Sequence, residues 1–215
     1  MRQKTKLFSG IFSGIILFIT NTVYGQYLME RLDRGIIAVK TNNGYYISWR
    51  MFGNDPKEIG FNLYRGSQKL NTEPITNSTN YVDKGAPSNS CYTVRPVING
   101  NEGPSSKKSR ILSSNFLRVP IQRPSGNYTA GDASVGDLDG DGDYEIVLKW
   151  EDNPKDNSQK GKTNKVILDA YKLNGTRMWR INLGVNIREG AHYTQFMVYD
   201  LDGDGKAEIA CKTAD

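Results

Sequence analysis

The sequence predicts an all-β chain: a small β-sandwich followed by the first one to two blades of a β-propeller. Three observations carry this reading. No helical periodicity of any length occurs after the first 25 residues; short apolar runs are punctuated by turn residues; and two acidic segments nearly repeat, with four strand-like runs between them.

The sandwich is expected over residues 26–113. Ile36 to Val39, Tyr45 to Arg50, Phe61 to Arg65, Asn80 to Val82 and Cys91 to Val97 alternate or run apolar. Asn42-Asn-Gly44, Gly53-Asn-Asp-Pro56 and Asn99-Gly100 separate them, as turn chemistry requires. Trp49 sits on an early strand and Tyr92-Thr-Val94 on a late one. With Phe61-Asn-Leu-Tyr-Arg65 and Tyr92-Thr-Val-Arg-Pro-Val97, the region resembles a fibronectin type III module, which implies a spacer or docking unit. Gly103-Pro-Ser-Ser-Lys-Lys-Ser109 reads as part of the exit to the next domain, and Lys107-Lys108 with Arg110 as a solvated linker.

Residues 114–215 change character. Asp200 lies 63 residues after Asp137, and between the acidic segments lie Glu145 to Trp150, Lys165 to Leu173, Thr176 to Leu183 and Tyr193 to Tyr199. Asn174-Gly175 is expected to link the middle two through a type I′ turn. Four strands per repeat is the mark of a propeller blade. A propeller protects its edges by closing a ring, so a chain with about one and a half blades reads as the N-terminal part of a longer protein or a truncated gene product.

The acidic segments are Asp137-Leu-Asp-Gly-Asp-Gly-Asp-Tyr-Glu145 and Asp200-Leu-Asp-Gly-Asp-Gly-Lys-Ala-Glu208. Carboxylates at alternating positions repel one another unless a cation compensates them, and a hard oxygen-seeking ion such as Ca²⁺ suits them. An EF-hand needs a bidentate Glu at position 12. Here position 12 is Leu148 or Cys211, so that class is excluded. A nine-residue loop running into a strand fits instead. Asp137, Asp139, Asp141 and Glu145 supply side-chain oxygens in the first copy, as do Asp200, Asp202, Asp204 and Glu208 in the second. Position 7, Asp143 or Lys206, needs only its backbone carbonyl, and the Gly before it permits the sharp bend. A structural ion and a catalytic one both remain open.

Ser134-Val-Gly-Asp-Leu-Asp-Gly-Asp-Gly142, Glu145-Ile-Val-Leu-Lys-Trp150, Lys155-Asp-Asn-Ser158, Leu168-Asp-Ala-Tyr-Lys-Leu173 and Gly190-Ala-His-Tyr-Thr-Gln-Phe-Met-Val-Tyr-Asp-Leu-Asp-Gly-Asp-Gly205 resemble rhamnogalacturonan lyases of polysaccharide lyase family eleven. Leu32-Asp-Arg-Gly35, Ser48-Trp-Arg50, Asn62-Leu-Tyr-Arg65 and Lys212-Thr-Ala-Asp215 extend the resemblance over nearly the whole chain. It implies a β-sandwich before an eight-bladed, Ca²⁺-binding propeller, and β-elimination on the rhamnose–galacturonate backbone of pectin. It implies too that the catalytic base lies in later blades. Gly131 stands where Asn is common, Glu151 follows Trp150 at a candidate sugar-binding position, and Asp132 is a candidate ion ligand. A non-catalytic carbohydrate-binding or adhesion propeller is the competing reading.

Other candidates are individual. His192, the one histidine, reads as a cleft or ion-shell residue or as a structural histidine. Lys149 and Lys212, each twelve residues after its loop's first Asp, could face an anionic substrate or snorkel at a strand end. Trp150 could stack on a sugar or fill the core.

Composition limits the partners. Arg2, Lys4 and Lys6 precede an apolar stretch from Leu7 to Ile19, and Gly25 offers a cleavage point. Residues 1–25 therefore read as a signal peptide, with no lipid-attachment Cys after it, which predicts a secreted or periplasmic protein. Without them 25 basic residues face 23 acidic ones, and the concentrated basic face a nucleic acid needs is missing. No stable membrane span and a monomer are expected, with Cys91 and Cys211 as buried free thiols.

Overall fold

The computed structural model describes residues 30–152, 154–156, 158–190 and 194–214. The expected signal peptide and His192 lie outside them. Fourteen strands and no helix occur among the described residues, so the all-β reading holds. No helix there is long and apolar enough to cross a membrane, which says nothing of β-barrels.

Two four-stranded sheets form the sandwich. One is built from β1 (Ile37–Thr41), β2 (Gly44–Ser48), β5 (Asn80–Lys84) and β8 (Arg110–Leu112), in the order β5-β2-β1-β8. The other takes β3 (Gly60–Arg65), β4 (Gln68–Lys69), β6 (Tyr92–Ile98) and β7 (Asn101–Glu102), in the order β4-β3-β6-β7. Alternation along each strand sends Ala38, Ile47, Leu63 and Val94 into one shared core, all fully buried. Trp49 meets Phe61 edge-on at 5.6 Å between ring centroids, and burial of such a side chain contributes about 1.5–3 kcal/mol.

Three short strands carry no apolar run to announce them. β4 and β7 are hairpin returns, and Asn99 (φ 50°) with Gly100 (φ 79°) makes the two-residue turn between β6 and β7. β8 pairs parallel with β1, so Arg110 is a strand residue. Lys107 donates to the carbonyl of Asp141 at 2.5 Å. The basic cluster is therefore part of the domain junction, which corrects its reading as a solvated linker.

The blade is one antiparallel meander of β9 (Thr129–Gly136), β10 (Glu145–Glu151), β11 (Ile167–Tyr171) and β12 (Arg177–Asn182). A second sheet of β13 (Phe196–Tyr199) and β14 (Glu208–Cys211) follows, with β13 against β9. The blade begins before the first acidic loop, one strand earlier than the spacing suggested. β9 escapes sequence patterning because Thr-Ala-Gly-Asp-Ala-Ser-Val-Gly has almost no apolar side chains. The expected type I′ turn at Asn174-Gly175 is also corrected. Only Gly175 has positive φ (88°), the amide of Gly175 bonds Lys172 O at 2.8 Å, and Asn174 Oδ1 accepts from the amide of Thr176. A Cβ at 175 would stand 2.4 Å from Pro120, so glycine is required there twice over. Cys91 and Cys211 are free but half-buried rather than buried.

Asp169 pins the blade. Fully buried on β11, it accepts from Trp150 Nε1 (2.7 Å, β10), Tyr171 Oη (2.6 Å) and both Nε and Nη2 of Arg180 (2.6 Å each, β12). Trp150 is thus a core residue, at 2% exposure. Burial pushes the Asp169 pKa up, but the hydrogen bonds from Arg180, Tyr171 and Trp150 outweigh it and hold the carboxyl below its ordinary range. A carboxyl depressed in the fold contributes stability that is complete above the unfolded pKa of about 3.9 and fades as pH falls through the lower folded value. Asp169→Ala should cost about 1–3 kcal/mol in urea unfolding at pH 7, because it leaves the buried Trp150 Nε1 without an acceptor and takes the carboxylate from the part-exposed Arg180 guanidinium. Below pH 3 the gap between variant and parent should narrow.

Candidate functional site

Both acidic loops close on the same internal wiring. In the first, between β9 and β10, Asp137 is buried and its Oδ1 accepts from the amides of Gly140 (2.8 Å) and Asp141 (3.0 Å), while Oδ2 accepts from Gly142 (2.7 Å). Glu145 Oε2 accepts from the amide of Leu138 at 2.9 Å. The second, between β13 and β14, repeats this. Asp200 takes the amides of Gly203 (2.7 Å) and Gly205 (3.0 Å), and Glu208 takes Leu201 (2.8 Å). Gly140, Gly142, Gly203 and Gly205 all have φ between 77° and 95°, conformations an L side chain resists.

This wiring brings three carboxylates together in each loop. Ligand oxygens of Asp137, Asp139 and Glu145 lie within 4.8 Å of one another, as do those of Asp200, Asp202 and Glu208. Asp139 Oδ1 is buried and takes no hydrogen bond, an orphaned anionic oxygen beside two others. Such a donor set fits a hard cation. Burial pushes the Glu145 carboxyl up, and the nearby Asp139 and Asp141 add to the rise. Position 5 stands apart. Asp141 and Asp204 lie outside the three-residue groups; Asp141 Oδ1 accepts from the amide of Asp143 and Asp204 Oδ1 from that of Lys206, a bond to the amide two residues on that Asp202 also makes. Asp143 is turned toward Lys107, at 3.3 Å.

The two loops differ in their surroundings. Lys172 reaches Asp139 at 2.5 Å and Asp141 at 3.5 Å, and Lys107 reaches Asp141 and Asp143. No ion pair reaches the second loop among the described residues. Hydrogen bonding from Asp143 N lowers the Asp141 pKa against burial, with both lysines assisting.

A second polar cluster forms where β9 bulges. Leu148 pairs with Ala133 and Trp150 with Ala130, so Gly131 and Asp132 together face Lys149. The bulge aims Asp132 at the buried Lys149 ammonium, 2.6 Å away, and Glu151 approaches it from the other side at 3.1 Å. Burial pulls the Lys149 pKa down, but the two carboxylates outweigh it and keep the ammonium charged. Lys149 is 2% exposed and occupied by these acids, whereas Asp132 remains 65% exposed on the rim of a groove with Ser134, Gln195 and Phe196. Lys212 is exposed and lines a neighbouring groove with Met197 that shares Gln195 and Phe196 with the first. The sequence reading missed Glu189, buried at the end of the loop after β12, where it accepts from the amide of Asp152. A lone Glu in an irregular segment gives no pattern to find.

Together the site and fold define an all-β protein of sandwich-plus-blade architecture, with Asp-Gly loops at two strand connections whose grouped carboxylates could hold a metal ion. Known proteins make the class specific. The model for the C-terminal domain of rhamnogalacturonan lyase family 11 matches residues 116–215, and that for the rhamnogalacturonan I lyase beta-sheet domain matches residues 27–112. The chain is 50% identical over 231 aligned positions to the rhamnogalacturonan endolyase YesW of Bacillus subtilis (strain 168), covering 100% of this chain and 37% of that protein. It is 54% identical over 197 positions to the exolyase YesX of the same strain, covering 87% and 32%. A solved structure of Bacillus licheniformis rhamnogalacturonan lyase PL11 matches with a TM-score of 0.80 at 58% identity, covering 87% of this chain and 34% of that one. The chain belongs to rhamnogalacturonan lyase family eleven, and it spans about a third of the length of these relatives.

Gly131 makes the Glu151–Lys149 pair possible. A Cβ there would stand 2.7 Å from Glu151 Cδ and 2.9 Å from Oε1, so Gly131→Ala must drive Glu151 off the lysine. Thermal and urea unfolding should show a loss of about 1–2 kcal/mol. Most of it should vanish in a Glu151→Ala background, a coupling of about 1 kcal/mol in the double-mutant cycle.

Proposed function

We propose that this chain supplies the sandwich and first blade of a Ca²⁺-dependent rhamnogalacturonan lyase that cleaves the rhamnose–galacturonate backbone of pectin by β-elimination. The observation that carries this is the identity of 50–54% to an endolyase and an exolyase across most or all of the chain. Asp137, Asp139 and Glu145 would hold one Ca²⁺ and Asp200, Asp202 and Glu208 another. A bound ion would supply compensation for the loops' clustered charge, which favours a structural role over a catalytic one.

In β-elimination a base removes the C5 proton, α to the uronate carboxylate, a C4–C5 double bond forms, and the C4 oxygen departs with the bonding electrons. Most of the relatives' length lies outside the matched part, and the base is proposed to come from segments there. Here Asp132, Glu151 and Gly131 form one wall for substrate, and buried Lys149 is a positioning residue that fixes the two carboxylates. Lys212 offers an exposed cation across β13. Secretion or periplasmic export through residues 1–25 and a monomeric state complete the reading.

The test is absorbance at the unsaturated-uronate band after mixing protein with rhamnogalacturonan I. A protein of the relatives' full length carrying this segment should give a Ca²⁺-dependent rise, removed by chelator and restored by added Ca²⁺. No rise with Ca²⁺ present would sink the proposal. The 215-residue chain alone should give little or no turnover.

A further inference from the structure

A half-enclosed cleft of about 310 Å³ lies between the sandwich and the blade and shares no residue with the groove at Asp132. Its apolar lining includes Ile37, Leu112 and Leu173, and Phe116 stands beside them at 58% exposure. Pockets of this size with an apolar lining and a few convergent polar groups hold small ligands.

The charges around the cleft do not balance. Its two acids are committed: Asp33 accepts from the amides of Lys107 (2.9 Å) and Gly35 (3.1 Å), and Asp143 pairs with the Lys107 ammonium. Arg50 donates to Asp33 O at 3.1 Å and lies 4.4 Å from the centroid of the Tyr144 ring. Lys108 and Arg110 also line the cleft, and among the described residues neither has a carboxylate in ion-pair contact. Arg110 lines in addition an adjoining recess of about 180 Å³ with Tyr144, Asn174, Lys172 and the carboxylates of Asp141, Asp143 and Glu145, so the first acidic loop lies on the far side of Arg110 from the cleft. Two cations without an ion-pair contact, beside an exposed aromatic ring, suit a ligand that is anionic at one edge and has an apolar face. A planar guanidinium matches a carboxylate bidentately, and an aromatic ring takes the C–H face of a sugar.

We propose that this interdomain cleft is an accessory subsite for a carboxylate-bearing sugar, with Arg110 and Lys108 holding the uronate carboxylate and Phe116 stacking on the ring. The proposal rests on the lyase reading and adds a second point of contact with the polymer.

The test is an NMR titration of the 215-residue chain with trigalacturonate, following the Phe116 ring and the Leu112 and Leu173 methyls, with Phe196 reporting on the other groove. Rhamnose and inorganic phosphate are the controls. Saturable shifts at Phe116, Leu112 and Leu173 with trigalacturonate alone are expected. Lys108→Gln/Arg110→Gln should weaken them at least about tenfold and Phe116→Ala several-fold, both with unchanged circular dichroism. Equal response to phosphate would overturn the sugar assignment, as would shifts unchanged in both variants. Shifts confined to Phe196 would overturn the cleft while leaving the lyase reading intact, and that reading fails separately in the absorbance assay. No shift at any reporter would also overturn the subsite.

Discussion

The connections between β9 and β10 and between β13 and β14 are arranged to hold clustered carboxylates in one place. Asp137 and Asp200 solve half of that problem with backbone amides, each drawing its loop into a tight arc around one buried carboxylate. Glu145 and Glu208 solve the rest, anchoring the incoming strand to the loop's second amide. The loops also lock to each other, since the amide of Ala207 donates to Asp137 O at 2.7 Å. The first loop is in addition where the sandwich meets the blade. Glu30 accepts from the Asp137 amide, the Asp33 amide donates to Gly142 O, Lys107 reaches Asp141, and Arg50 covers Tyr144. A loop that shifts must therefore disturb strand pairing and domain packing together.

Lysines compensate the clustered carboxylates only in part. Lys172 and Asp139 are each about a third exposed, and Lys107, Asp141 and Asp143 more so. Pairs this accessible are screened and contribute about 0–1 kcal/mol. They leave Asp139 Oδ1 unpaired in the first loop and reach none of the second. A divalent ion acting on three oxygens at once is the stronger compensation in both.

The sequence revealed what repeats or alternates. The two acidic loops, the long apolar strands and the hairpin at Asn174-Gly175 all announce themselves. β9 did not, because a strand of small and polar residues has no hydrophobic period. β8 did not, because Arg110-Ile-Leu112 is too short to distinguish from linker. The clustering of Asp137, Asp139 and Glu145 is readable from spacing, but the place of Asp141 outside it is not, since Asp141 turns instead toward Lys107 and Lys172. The Lys149 cluster was the least legible. Its lysine looked like a surface cation on an apolar strand, and only the bulge opposite, which needs Gly131, shows why it can be buried. The turn at Gly175 differs from the type I′ expectation because it closes one residue earlier, on the Gly175 amide to Lys172 O, which leaves positive φ to Gly175 and not to Asn174.

The central claim is that the two loops are equivalent cation cradles built from the same three positions. Calorimetric titration of the chain with Ca²⁺, alongside Glu145→Gln and Glu208→Gln, tests it most directly. The account predicts two bound ions per chain and the loss of one in each variant. A parent that binds none, or variants that still bind both, would contradict it.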